Sequence, residues 1–175
     1  MHYAAARVIF AVLGLSFAFA AGAQNKSSPA GKASSKDRSF IMQATGGGMV
    51  EVELSKLALQ NGASSDVKAF AQRMVGDHGK AGMELEMISV KLGVTPPKPM
   101  VAQHADMKRF GELKGEKFDK AYVERMVRDH KVTVALFEKQ AKRGDSVELR
   151  QFASNTLPVL KEHLTMVLAL AEKKK

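Results

Sequence analysis

Apolar residues recur at spacings of three and four along four stretches of this chain, and no stretch alternates apolar and polar in the strand manner. The first stretch starts at Asp37 or Ser39 as N-cap and carries Phe40, Ile41 and Ala44 to Gly46-Gly47-Gly48. It then continues through Met49 to Ala58 and stops at Asn61-Gly62. The second opens at Ser64-Ser65-Asp66 and places Val67, Phe70, Ala71, Met74, His78, Ala81, Leu85 and Ile88 on one face before Leu92-Gly93 and the Pro96-Pro97-Lys98-Pro99 connection. A short helix is expected within 100–113. A third long pattern begins near Phe118 with Tyr122, Met126, His130, Thr133 or Val134, Phe137 and Ala141 on its stripe. Gly144-Asp145-Ser146 ends it and caps the fourth, which runs along Leu149, Phe152, Ala153, Thr156, Leu160, His163, Val167 and Leu170, with a kink expected at Pro158. The pattern predicts an all-α fold, a four-helix bundle of antiparallel-packed helices. The triple glycine costs about 1 kcal/mol per residue in a helix, so it marks either a break in the first helix or a close approach of another backbone.

Two repeats lie inside this pattern. Asp66-Val67-Lys68-Ala69-Phe70-Ala71 corresponds to Glu148-Leu149-Arg150-Gln151-Phe152-Ala153, as a duplicated helical hairpin would predict. Arg73-Met74-Val75-Gly76-Asp77-His78 returns as Arg125-Met126-Val127-Arg128-Asp129-His130, which convergence on one core pattern explains as well.

The ends of the chain read differently. Residues 1–23 combine Arg7, the apolar run from Val8 to Ala20 and the small residues Ala21-Gly22-Ala23, the arrangement of a secretory signal with an A-x-A cleavage site. The run is shorter than the roughly 20 apolar residues a spanning helix needs. Residues 24–36 form a Ser/Ala/Lys/Gly-rich linker, the bundle is expected over 37–172, and 173–175 is a basic tail. The chain has no cysteine, so an exported, periplasmic form, peripheral to the outer membrane at most, must be stable without disulfides. Its formal charge is +9, or +8 once Arg7 leaves with the signal. The basic residues are spread among acids and there is no tryptophan, so no specific nucleic-acid partner is expected; loose association with anionic envelope surfaces explains the charge.

Three stripe positions are histidines, His78, His130 and His163, one on each of three helices. The first helix offers Glu51 on its inner face, with Glu53 better placed for solvent. At about 1.5 Å per residue these four groups lie roughly 17 to 28 Å from their hairpin loops, a common middle layer whichever way the helices are connected. Such a layer suits zinc, iron, copper or manganese, with Asp77 and Asp129 as outer partners or surface acids. The same histidines also serve as packing groups that hydrogen-bond to neighbouring helices. Met83 and Met87, one turn apart, suggest a copper site in an exported protein but read better as gap-filling core, and Ser154, Asn155 and Thr156 near the proline kink are candidates to line a pocket. There is no nucleophile elbow, phosphate loop or dinucleotide fingerprint, and hence no catalytic residue to name.

The blocks Gly47 to Leu54, Val67 to His78, Phe118 to Tyr122, Met126 to His130, and Thr156-Leu157-Pro158 with His163-Leu164 resemble the bacterial domain-of-unknown-function family 4142. That resemblance covers about 40–170 and implies an exported ferritin-like four-helix bundle, often labelled an outer membrane protein. An integral protein of that membrane is a closed barrel of alternating strands, which this pattern is not. Ferritin-like di-iron sites pair Glu and His three residues apart. Here Val75, Val127 and Leu160 precede the three histidines by three, so ferroxidase activity is not carried over. The leading expectation is a non-enzymatic envelope or stress-related protein, with a metal-binding protein built on His78, His130, His163 and Glu51 as the alternative and a basic adaptor for anionic polymers as the third.

Overall fold

Serine hydroxyls mark where three of the long helices begin. Ser34 accepts from the Asp37 amide at 3.2 Å, Ser64 from Val67 at 3.4 Å and Ser146 from Leu149 at 3.2 Å, each satisfying an amide that the first helical turn leaves open. The computed structural model describes residues 32–97 and 102–173. In it α1 spans Ser35–Asn61, α2 Ser65–Lys91, α3 Ala102–Glu112, α4 Gly115–Arg143 and α5 Val147–Glu172. The signal segment 1–23 and most of the expected linker lie outside the described residues.

Four long helices pack as a bundle, with the short α3 between the second and third of them. Within it α1 lies beside α2 and α4, and α5 beside α4 and α2. The ends fix the directions. The α1–α2 loop meets the start of α4, where Asp119 accepts from the amides of Ala63 at 3.2 Å and Ser64 at 2.9 Å. The α4–α5 loop meets the start of α1, where Asp37 accepts from Asp145 at 3.2 Å and Ser146 at 2.9 Å. Neighbouring long helices are therefore antiparallel. The chain leaving α2 near Ala33, whose amide binds the Leu92 carbonyl at 3.2 Å, enters α4 at the opposite end of the bundle. The connection that carries α3 thus crosses the bundle's length. Sequence spacing had left open whether it crosses or caps.

These contacts define a pseudo-twofold relation between the hairpins, 82 residues apart in sequence: Asp37 maps onto Asp119, Ala63 onto Asp145 and Ser64 onto Ser146. Gly62 and Gly144 obey the same shift. A Cβ at Gly62 would stand 2.8 Å from the Asp119 carboxylate, and one at Gly144 would collide with Gln140, so the approach of these capping groups requires glycine. The duplication suggested by Asp66–Ala71 and Glu148–Ala153 therefore extends over both hairpins. The Arg-Met-Val-x-Asp-His echo is local: Arg73 reaches Asp77 at 3.3 Å and Arg125 reaches Asp129 at 2.6 Å along their own helices.

The core forms two clusters that the pseudo-twofold largely exchanges. Val67, Phe70, Ala71, Tyr122, Val123 and Val167 in one correspond to Leu149, Phe152, Ala153, Phe40, Ile41 and Leu85 in the other. Phe110 of α3 closes the first cluster against Phe118. Three expectations need correction. The linker was expected to reach residue 36, but α1 starts at Ser35 and Asp37 is a buried loop anchor rather than a cap. Gly46-Gly47-Gly48 does not break α1, and among the described residues nothing lies within 4 Å of a Cβ at Gly46 or Gly47 and only the His78 ring approaches one at Gly48, so no described backbone comes close there. Met83 and Met87 are not core, being 61% exposed each, and Met83 lines the cavity described below.

Candidate metal centre

Between the two apolar clusters α2, α4 and α5 each turn one histidine inward. His130 and His163 are fully buried and His78 nearly so. Their ring centroids stand 5.4 to 5.6 Å apart, and one ring nitrogen from each comes within 4.8 Å of the others. Phe70 floors the group, its ring 6.5 Å from His130 and 6.2 Å from His163.

Each ring is held from behind. Nδ1 of His130 donates to the Met126 carbonyl one turn earlier at 3.0 Å. Nε2 of His163 donates to Asp77 across the α2–α5 interface at 2.9 Å. Nδ1 of His78 faces Glu51 of α1, whose Oε2 stands 3.1 Å away but out of line for a hydrogen bond. Oε1 of Glu51 lies 3.6 Å from Nδ1 of His130. The opposite nitrogens, Nε2 of His78, Nε2 of His130 and Nδ1 of His163, are buried with no hydrogen-bond partner. In the neutral rings of His130 and His163 these bonds fix the proton on the bonded nitrogen and leave the lone pair on the opposite one.

Electrostatics keep the group uncharged until something enters. Burial draws the His78 imidazole down to about 3, helped by the charges that His130 and His163 would carry. Burial, then His163, draws His130 down to about 4 against the opposing bond to Met126. Burial also lowers His163, opposed by Asp77. Glu51 moves the other way: burial pushes its carboxyl up to about 8, the charge of Asp129 adds to this, and Arg125 works against it. Asp77 stays below the usual carboxylate range because burial, which would raise it, is outweighed by the hydrogen bonds from His163 and Arg73. Arg73 in turn reaches Glu162 at 2.6 Å. Near neutral pH the centre thus holds three neutral imidazoles and a protonated carboxyl.

Of the residues singled out in the sequence, His78, His130 and His163 come together. Glu51 is buried beside them, close to Nδ1 of His78 and of His130, but is not a member of the three-histidine group. Asp77 orients His163, and Asp129 pairs with Arg125. Glu53 is exposed, as its position on α1 predicted. Thr156 lines a cavity, while Ser154 and Asn155 face solvent.

Of that cavity, of about 640 Å³ and opening beside His78, His163 and Glu51, the sequence pointed to Thr156 as pocket lining but not to its extent or to its place beside the histidines. Its walls include Ala44, Gly48, Ala81, Leu85, Phe137 and Phe152. The signal for it was present as small residues at inward positions, Ala44, Gly48 and Ala81, but small residues at such positions also fit close helix packing. Among the described residues no helix is long and apolar enough to cross a membrane.

Comparison with known proteins agrees with the fold. No curated protein matches the sequence. Among solved structures, a DUF305 fragment from Deinococcus radiodurans superposes with a TM-score of 0.71 at 14% identity, covering 81% of this chain and 99% of its own. CopM in its Cu(I)-bound form gives 0.67 at 14% identity over 78% of this chain and 95% of its own. The Cu(II)-bound form gives 0.64 at 13% identity over 79% and 97%. At such identities the likeness is one of fold. The model of the domain of unknown function DUF4142 matches residues 22–170, and the chain belongs to that family.

Proposed function

We propose that this DUF4142 protein is a transition-metal-binding protein whose ion is held by His78, His130 and His163, and that copper is the first ion to test. One observation carries the reading: three histidines from three helices bring one ring nitrogen each within 4.8 Å of the others, and each ring keeps one buried nitrogen without a hydrogen-bond partner. A packing role explains buried histidines whose nitrogens are bonded. It does not explain three that are not, since each unsatisfied buried polar group costs about 1–3 kcal/mol. A cation supplies the missing partner for all three at once.

The donor set is nitrogen only, which suits copper, zinc, iron or nickel better than magnesium or calcium. Nitrogen ligands sit about 2.0–2.1 Å from zinc, so the rings must close up modestly from their 4.8 Å spread. Asp77 and the Met126 carbonyl hold two rings in the donating tautomer, and Glu51 stands ready to do so for His78. Glu51 then serves as an outer partner that gives up its proton as positive charge arrives, rather than as a fourth ligand. The copper-bound forms of CopM, which share this fold, support trying copper first. Nothing in the centre resembles a reacting constellation, so binding, storage or delivery in the envelope is the role that fits, after the export expected from residues 1–23.

Metal analysis of untagged protein, followed by titration with Cu(II), Cu(I) and Zn(II), tests the reading. One equivalent bound by the native chain and none by His130→Ala supports it. Equal binding by both, or no binding with no thermal shift on adding any of these ions, iron or manganese, overturns it.

A further inference from the structure

The pseudo-twofold shows where the cavity comes from. Applied to the histidine side of the core, it carries His130 onto Gly48, His163 onto Ala81, Met126 onto Ala44 and Met74 onto Thr156. All four counterparts line the cavity, together with Phe152, the counterpart of the Phe70 that floors the histidines. The same backbone frame is thus filled by two imidazoles and two thioethers on one side and left open on the other. A glycine at 48 is no requirement of the backbone, because a Cβ there would meet the His78 ring at an ordinary 3.8 Å.

We propose that this emptied half of the core is a binding pocket for an uncharged, mainly apolar organic molecule that carries one nitrogen or oxygen donor directed at the histidine centre. Its volume of about 640 Å³ falls within the range of about 300–1,000 Å³ typical of small-molecule sites. Its walls are largely aliphatic and aromatic, with Thr133 and Thr156 as modest polar points. Among its lining residues the ionisable side chains besides the histidines are Glu51, Glu53, Asp77 and Glu86, with no lysine or arginine despite a chain of net charge +9. That lining disfavours anions. His78, His163 and Glu51, whose carboxyl is buried and without a hydrogen-bond partner, are among the lining residues, whereas His130 is not. An ion on three nitrogens keeps an open position, and the cavity is where a fourth, exogenous ligand has room to stand.

The donor's role rests on the metal reading, but the pocket for the apolar body does not, and the test separates them. Metal-free protein is titrated with the neutral dye N-phenyl-1-naphthylamine by fluorescence, with 4-phenylimidazole as competitor. Saturable binding of one dye, displaced by the competitor, is expected. The variant Ala44→Met/Thr156→Met gives the cavity the side chains its symmetry mate already carries, and should weaken the dye roughly tenfold or more, about 1.4 kcal/mol, while still binding metal. His130→Ala should do the reverse, losing metal and keeping the dye. In copper-loaded protein 4-phenylimidazole should shift the ligand-field spectrum, and biphenyl, which lacks the donor, should not. If the double variant fails to fold, as circular dichroism would show, Thr156→Met alone reads the same loss in part. Absence of dye binding to native protein, or binding that filling the cavity leaves unchanged, overturns the pocket whether or not metal binds. A spectrum that 4-phenylimidazole leaves unmoved in a protein that holds both copper and dye overturns the donor's role.

Discussion

The two halves of the bundle core share one backbone plan and differ in what fills it. On one side Phe70 supports His130 and His163. On the other Phe152 looks across a cavity at Gly48 and Ala81. Even the packing has drifted in kind, for the hydrogen bond between Ser55 and Tyr122 at 2.7 Å takes the place that Phe137 and Phe40 fill with an edge-on ring contact at 5.1 Å. The lesson is that the hairpin frame is held by its ends, through Asp37 and Asp119, and leaves its middle free to specialise. One middle has become polar and the other empty.

That contrast can be broken in four places. The largest effect belongs to the histidine side: His130→Ala should lower metal affinity by at least about a hundredfold in equilibrium dialysis, because it removes a fully buried donor that no neighbour replaces. Next come the frame's ends. Asp37→Ala and Asp119→Ala each strip two loop amides of their acceptor, and each should cost about 3 kcal/mol in urea unfolding. The two losses should agree within about 1 kcal/mol if the halves are held alike.

Glu51→Gln should reduce metal affinity about tenfold and flatten its pH dependence. In the native protein the carboxyl lies at about 8 without metal, so affinity should climb as pH rises towards 8 and then level, whereas His78 and His130, held neutral, compete little with protons above about pH 4. The metal-free fold has the complementary profile. A carboxyl raised by folding contributes stability at low pH that is lost as pH rises from its ordinary range to about 8. Histidines lowered by folding contribute above 6.5 and lose that as pH falls towards 3–4. The two windows overlap, and where they do the histidines outweigh the single carboxyl, so thermal unfolding of metal-free protein across pH 3 to 9 should peak near the ordinary histidine value of 6.5, and Glu51→Gln should remove the alkaline fall. The smallest effect is on the empty side, where Ala44→Met/Thr156→Met should stabilise the metal-free protein by about 1 kcal/mol if the new side chains fill space without strain.

Much of this was legible in the sequence because it is written in periodicity. The apolar stripes placed the four long helices, and the histidines' places on those stripes put them in one layer. The triple glycine and Met83 with Met87 were misread for one reason: a stripe tells which way a residue faces along its own helix, not whether a neighbouring helix fills the space opposite. Gly48 stands over a cavity and Met87 over solvent. The role of Glu51 was beyond the sequence too, since its outward or inward relation to the rings depends on which imidazole nitrogen it meets. The correspondence of α1 with α4 stayed hidden because its most visible members, Gly48 and His130, are the pair that diverged.

The reciprocal anchoring of the loops has a consequence for the chain's cooperativity. Neither hairpin can satisfy its own turn: Asp37 of the first binds the amides of the second, and Asp119 of the second binds those of the first. Each half is thus the missing end-piece of the other. A lone hairpin would have to leave those amides to water or find a second copy of itself, so the two halves behave as a dimer that one long crossover has made permanent.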